Sequence, residues 1–217
     1  MANHVTTNIS ITGLTEDTLQ YFKSLCGHLK GTHIGNYLFD LEDDVSYHSE
    51  KLAVQYLYDE INEDTPYDSQ WMYDNVGAKW CNLEDIEIYN DELTIQTVSA
   101  WSYPREFVEY LLTVIEEKQT EYKAFVTYDD EMPNFFGCEV YVDGACADGE
   151  EWVEDEIDDL LSEQSTDYAT ALYNYNEAYE NDADDVDELY DALYDIKSDI
   201  LYDTMHEAQN KVFCEYQ

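Results

Sequence analysis

Alternation of apolar and polar positions begins at the first residues. Residues 3–12 set Val5, Ile9 and Ile11 between polar neighbours at a period of two, which predicts a strand closed by Gly13. Thr15 then suits a helix N-cap, and Glu16 and Asp17 suit the positive end of the helix dipole. Leu19, Phe22, Leu25, Cys26 and Leu29 recur at helical spacing up to Gly31, about four turns. Residues 37–41 read as a short strand. Residues 45–61 carry Leu52, Ala53, Tyr56, Leu57 and Ile61 at helical spacing, and Pro66 marks the end. Residues 84–89 and 92–101 alternate on either side of Asn90-Asp91, a hairpin pattern. Pro104 opens a helix through Phe107, Leu111, Leu112 and Ile115, and residues 122–128 and 135–142 supply two more strands. This order predicts an α+β fold, a ferredoxin-like split βαβ sandwich.

After Gly144 the pattern changes. Residues 150–161, 167–179 and 184–212 all read as helices, and neither Pro nor Gly occurs after Gly149. In the last of them Val186, Leu189, Leu193, Ile196 and Ile200 alternate three- and four-residue spacings, which gathers them into one apolar stripe. Asp187, Asp191, Asp195, Asp199 and Asp203 recur every fourth residue and, with Asp184, Asp185 and Glu188, fall mostly on the opposite side. Two domains are expected: residues 1–142, the ferredoxin-like α+β domain, and residues 143–217, an acidic helical region.

Composition sharpens this division. The chain of 217 residues has 51 acids against nine bases, a net charge of −42, yet 44% hydrophobic and 15% aromatic residues, with 21 Tyr, mark it as folded rather than disordered. Residues 143–217 hold 24 of the acids and two of the bases. Such a charge repels nucleic acid and anionic membranes, so the expected partner is a basic surface and no direct binding to either polyanion is expected. Nine acids over residues 184–207 span roughly 36 Å of helix, about one charge per 4 Å, against one per 3.4 Å along a DNA strand. A homodimer would supply a second row and approach the spacing of a duplex. Like charges four apart cost the helix about 1–2 kcal/mol in total, and Lys197 is the one cation in the stretch. Ordinary solvated faces mix signs. Tyr179, Tyr190, Tyr194 and Tyr202 are interleaved with the acids, either as contact rings or as edges of the apolar stripe.

Catalytic and metal chemistry find no pattern. Acid pairs are too numerous for any one to signal an acid/base dyad. The run Asp143-Gly144-Ala145-Cys146-Ala147-Asp148-Gly149-Glu150-Glu151 looks loop-like but lacks the ligand spacing of a calcium loop. His28 and His33 lack a second ligand pair, and no P-loop, GxGxxG, GxSxG or HExxH occurs. Trp71, Trp80 and Trp101 read as core of the sandwich. Five cysteines, Cys26, Cys81, Cys138, Cys146 and Cys214, form no CxxC pair. With no signal peptide and no apolar run of eighteen residues, they suggest reduced thiols in a cytoplasmic protein. The expectation is a non-enzyme without cofactor or metal.

Around Trp71…Asn75-Val76-Gly77-Ala78-Lys79-Trp80 and Ala100-Trp101-Ser102-Tyr103-Pro104, after an opening Met1-Ala2-Asn3-His4-Val5-Thr6, the chain resembles the YubB-type ferredoxin-like family of plasmid and bacteriophage proteins. The resemblance covers residues 1–142 and implies an α+β sandwich and a home on a mobile element, but no activity. In charge density and in Asp, Glu and Tyr content the chain is also similar to acidic phage proteins that imitate DNA. The expected function is therefore a DNA mimic that occupies the basic groove of a host nucleic-acid-binding defence system, of restriction or CRISPR type, in the host cytoplasm. Its phosphate-mimicking residues are Glu150, Glu151, Glu154, Asp155, Asp158, Asp159, Asp184, Asp185, Asp187, Asp191, Asp195, Asp199 and Asp203. The alternatives are an acidic assembly protein that binds a basic partner or itself without displacing DNA, and adaptation to high salt.

Overall fold

The computed structural model describes residues 3–29, 73–74, 76–132, 134–181 and 186–216. Strand β1, His4–Thr12, buries every second side chain, Val5, Thr7, Ile9 and Ile11. Helix α1, Glu16–Leu29, follows Thr15, whose Oγ1 accepts from the Thr18 amide at 3.4 Å, and it buries Leu19 and Phe22. Strands β2, Lys79–Tyr89, and β3, Glu92–Ala100, form the expected hairpin, which turns through Asn90 in the left-handed region at φ 55°. Pro104 caps helix α2, Arg105–Glu116, which buries Phe107, Val108, Leu111, Leu112, Val114 and Ile115. Strands β4, Lys123–Asp130, β5, Phe135–Val142, and β6, Ala145–Val153, lead into helices α3, Glu154–Gln164, α4, Thr166–Glu180, and α5, Val186–Phe213.

The sheet runs β2-β3-β1-β4-β5-β6. Among the described residues its first four strands with α1 and α2 follow the βαββαβ order, and β1 pairs antiparallel with both β3 and β4 while β2 pairs antiparallel with β3. That is the ferredoxin-like arrangement, extended by the hairpin β5–β6. Register follows from burial: Ile9 lies between Ile95 and Val126, and Ile11 between Leu93 and Ala124. A slip of one residue would turn these apolar rows to the other face of the sheet.

Strand β6 is not foreseen by the sequence pattern. Asp143 at φ 51° and Gly144 at φ 81° make the two-residue left-handed turn that matches the twist of a hairpin. A side chain at position 144 would also run into the Glu116 carboxylate. Glu150 and Glu151 consequently stand on β6 rather than opening a helix, and α3 begins at Glu154. Only Trp152 of β6 is buried, so the strand shows no alternation to read. Trp101 departs from the core expectation too: it sits after β3 at φ 65° and is 48% exposed. The expected elements at residues 37–41 and 45–61, together with Trp71, His33, Asp184 and Asp185, lie outside the described residues.

The chain divides into two compact units, Met1–Pro133 with Gly137–Gly149, and Asn134–Phe136 with Glu150–Gln217. The expected division after residue 142 falls at the β5–β6 turn. No described helix is long and apolar enough to cross a membrane.

Candidate functional site

The three acidic helices are held together by a thin set of inward residues. In α3, Glu154, Asp155 and Glu156 occupy the first turn, where the dipole favours them, and Glu156 Oε2 accepts from the Val153 amide at 3.1 Å. Ile157 and Leu161 face inward. Ser165 caps α4 by accepting from the Tyr168 amide at 3.2 Å, and the fully buried Tyr168 donates its phenol hydrogen to Asp158. Lys197 of α5 donates to the same Asp158 oxygen at 3.0 Å, with the two side chains 13% and 23% exposed. Burial first, and then the bond to Asp158, push the Tyr168 phenol far up, so it remains a donor. A second link joins α3 to α5: Thr204 Oγ1 donates to Gln164 Oε1 at 2.8 Å, and Gln164 Nε2 donates to Glu207 at 3.0 Å.

Asp158 is therefore corrected from an outward acid to an inward one, its charge matched by Lys197. The reason is its place on α3 facing α5, where the lysine reaches it. Glu150, Glu151, Glu154, Asp155 and Asp159 are exposed, as are Asp187, Asp191, Asp195, Asp199 and Asp203.

That all five aspartates of the row stay exposed is not trivial. Each four-residue step turns about 40° on a helix of 3.6 residues per turn, so Asp187 and Asp203 differ by about 160° in direction. A straight buried stripe would cover one end of such a row. In α5 the buried side drifts in the same sense: Leu193 is buried near the start, flanked by half-buried Leu189 and Ile196. Thr204, Ala208 and Gln209 are buried near the end, beside half-buried Leu201, Met205 and Val212. The acid row winds with the solvent side.

The same period organises the tyrosines. Asp187-Glu188-Leu189-Tyr190, Asp191-Ala192-Leu193-Tyr194, Asp195-Ile196-Lys197-Ser198 and Asp199-Ile200-Leu201-Tyr202 are successive four-residue units, each opening with Asp, three of them closing with Tyr. The third unit breaks the rule by its Lys197, which is turned inward, and its Ser198. Tyr190, Tyr194 and Tyr202 are exposed alongside the acid rank, and Tyr179 of α4 is exposed as well. Tyr190 also meets the ring of Tyr175 at 5.7 Å, and Tyr175 meets Tyr179 at 6.0 Å. Comparing residues four apart for side-chain type, rather than for charge alone, would have exposed this second rank.

A contrasting carboxylate lies in the sheet unit. Glu139 of β5 is buried and accepts from Tyr103 at 2.8 Å and Tyr141 at 2.6 Å, while Arg105 at the start of α2 pairs with its other oxygen. Tyr103 in turn stacks on Tyr128 with ring centroids 4.3 Å apart. Both oxygens of Glu139 are engaged, so the cluster fastens α2 to β5. Burial pushes the Cys81 thiol up to about 12, which keeps it protonated. Among the described residues no group of three or more His, Cys, Asp or Glu is placed to hold a metal ion.

No family model and no curated protein matches the chain. Among solved structures, the chain is similar to the crystal structure of protein api92 from Yersinia pseudotuberculosis, of family model DUF1281. The TM-score is 0.41 at 10% identity, over 71% of this chain and 99% of that one.

Proposed function

We propose that the protein is a DNA mimic: a non-enzymatic inhibitor whose helical unit enters the basic groove of a nucleic-acid-binding protein and displaces DNA. The observation that carries this reading is the exposed aspartate row of α5, maintained over the helix because the buried side rotates with it. Carboxylates about 6 Å apart along one helix carry more than half the charge density of a phosphate strand, at about 3.4 Å per charge, and further acids on β6 and α3 add to it. Tyrosine hydroxyls and rings fill the positions beside them, where a nucleic acid would present sugars and bases. The YubB-type resemblance of the sheet unit enters as part of the proposal. A plasmid or phage origin, which that resemblance implies, together with the acidity, makes a restriction- or CRISPR-type defence in the host cytoplasm the proposed target.

The test is a competition gel shift with a restriction endonuclease or CRISPR effector bound to labelled DNA. Addition of the protein releases the DNA, the release weakens as salt rises, and the variant with Asp→Asn at 187, 191, 195, 199 and 203 fails to release it. Binding to a basic partner with the DNA still in place would instead make the chain an acidic assembly protein.

A further inference from the structure

Three large rings on one helix stand half or more in solvent: Tyr190 at 51%, Tyr194 at 51% and Tyr202 at 69%. Each lies three residues after an aspartate of the row, Asp187, Asp191 and Asp199, which are themselves exposed. Residues three apart on a helix are side-by-side neighbours, about 5–6 Å between Cβ atoms. The surface therefore repeats a unit of one carboxylate beside one phenol ring. A guanidinium matches both halves of that unit at once, since its planar fork bonds a carboxylate with two parallel N–H groups while its flat face stacks on an aromatic ring. An ammonium can satisfy the charge but has neither plane nor fork.

We propose that this face docks an arginine-lined surface, with each guanidinium seated between an aspartate and the tyrosine three residues on. This deepens the function proposed above by naming the side chain the partner presents, and it rests on that reading only for the partner's biological role. Charge complementarity fixes the sign of the occupant: the chain carries a net charge of −42, and Lys197, the cation nearest the middle of α5, is already paired inward with Asp158. The repeat sets a step of about 6 Å between successive seats. The third unit, with Ser198 in place of a ring, is a seat for charge alone.

The test uses the full chain and two labelled peptides of equal charge, nona-arginine and nona-lysine, in about 0.15 M salt, where loose attraction is screened. The wild-type protein binds nona-arginine about tenfold more tightly than nona-lysine. Replacing the rings together, Tyr190→Leu, Tyr194→Leu and Tyr202→Leu, leaves the charge unchanged and removes most of that preference, whereas Tyr→Phe at the same positions keeps it. Circular dichroism of both variants matches the wild type, because the rings are exposed. Equal affinity for the two peptides, or a preference that survives the Tyr→Leu change, overturns the proposal, since any acidic surface would then do as well. Failure to displace DNA from basic partners, with the ring-dependent preference intact, defeats the mimic reading and supports this one.

Discussion

Glu139 of β5 and Asp195 of α5 carry the same functional group to opposite ends. The first is buried, with both oxygens taken by Tyr103, Tyr141 and Arg105. The second stands in a row of its own kind, exposed and repelled by its neighbours. The sheet unit turns its large side chains inward: Phe22, Phe107, Tyr128, Ile9, Ile11, Leu93, Ile95 and Leu111 are each at most 2% exposed. In the 28 residues of α5 only Leu193, Thr204, Ala208 and Gln209 are buried, two of them polar. The contrast teaches that the sheet unit spends its large side chains on a core, while α5 gives most of its sequence over to its surface.

The largest break in this contrast is a cavity in the sheet unit. Phe107→Ala costs about 3–5 kcal/mol, measured by urea denaturation, because a completely buried ring of α2 is lost. Next comes the inward ion pair of the helical unit. Lys197→Ala leaves the half-buried Asp158 without its cation and costs about 1–3 kcal/mol, and the double change Lys197→Met with Asp158→Asn, which removes both charges and keeps an acceptor for the Tyr168 hydroxyl, recovers most of that. A double-mutant cycle checks it. Smaller, and opposite in sign, is the fivefold Asp→Asn change in the row, which stabilises α5 by about 1–2 kcal/mol in thermal unfolding while abolishing partner binding. A surface kept against the interest of its own helix behaves in that way.

The smallest effect sharpens the comparison through pH. Burial, and then the neighbouring Asp130, raise the Asp129 carboxyl above its ordinary 3.8. A carboxyl raised on folding favours the folded state in its protonated form, so its contribution is fully present below pH 3.8 and is lost as pH rises through the shifted value. Asp129→Asn removes that loss, and the difference in stability between variant and wild type grows as pH is raised from the acid range toward neutrality.

Much of this was legible in the sequence, and the exceptions share a cause. Period-two alternation located β1 and the β2–β3 hairpin because one face of each is buried against apolar neighbours. The pattern of α2 was equally plain, with Phe107, Leu111 and Ile115 on one side. Strand β6 escaped because it buries only Trp152 and is polar elsewhere, so its one signal was the Asp143-Gly144 turn, which reads equally as a loop. The acid row was visible as charge. Its exposure at both ends was not, since that depends on how the buried side of α5 drifts against α3 and α4. The inward turn of Asp158 depended on Lys197, 39 residues away, a pairing that no local spacing announces.

The interleaving of segments has one further consequence. Residues 134–136 belong with the helices, residues 137–149 return to the sheet unit, and the chain leaves it again at residue 150. The two halves are stitched by the backbone, not strung on a single linker. A single cut after Gly149 lifts out the acidic stretch Glu150–Gln217 but leaves behind Asn134–Phe136, the three residues that belong with it.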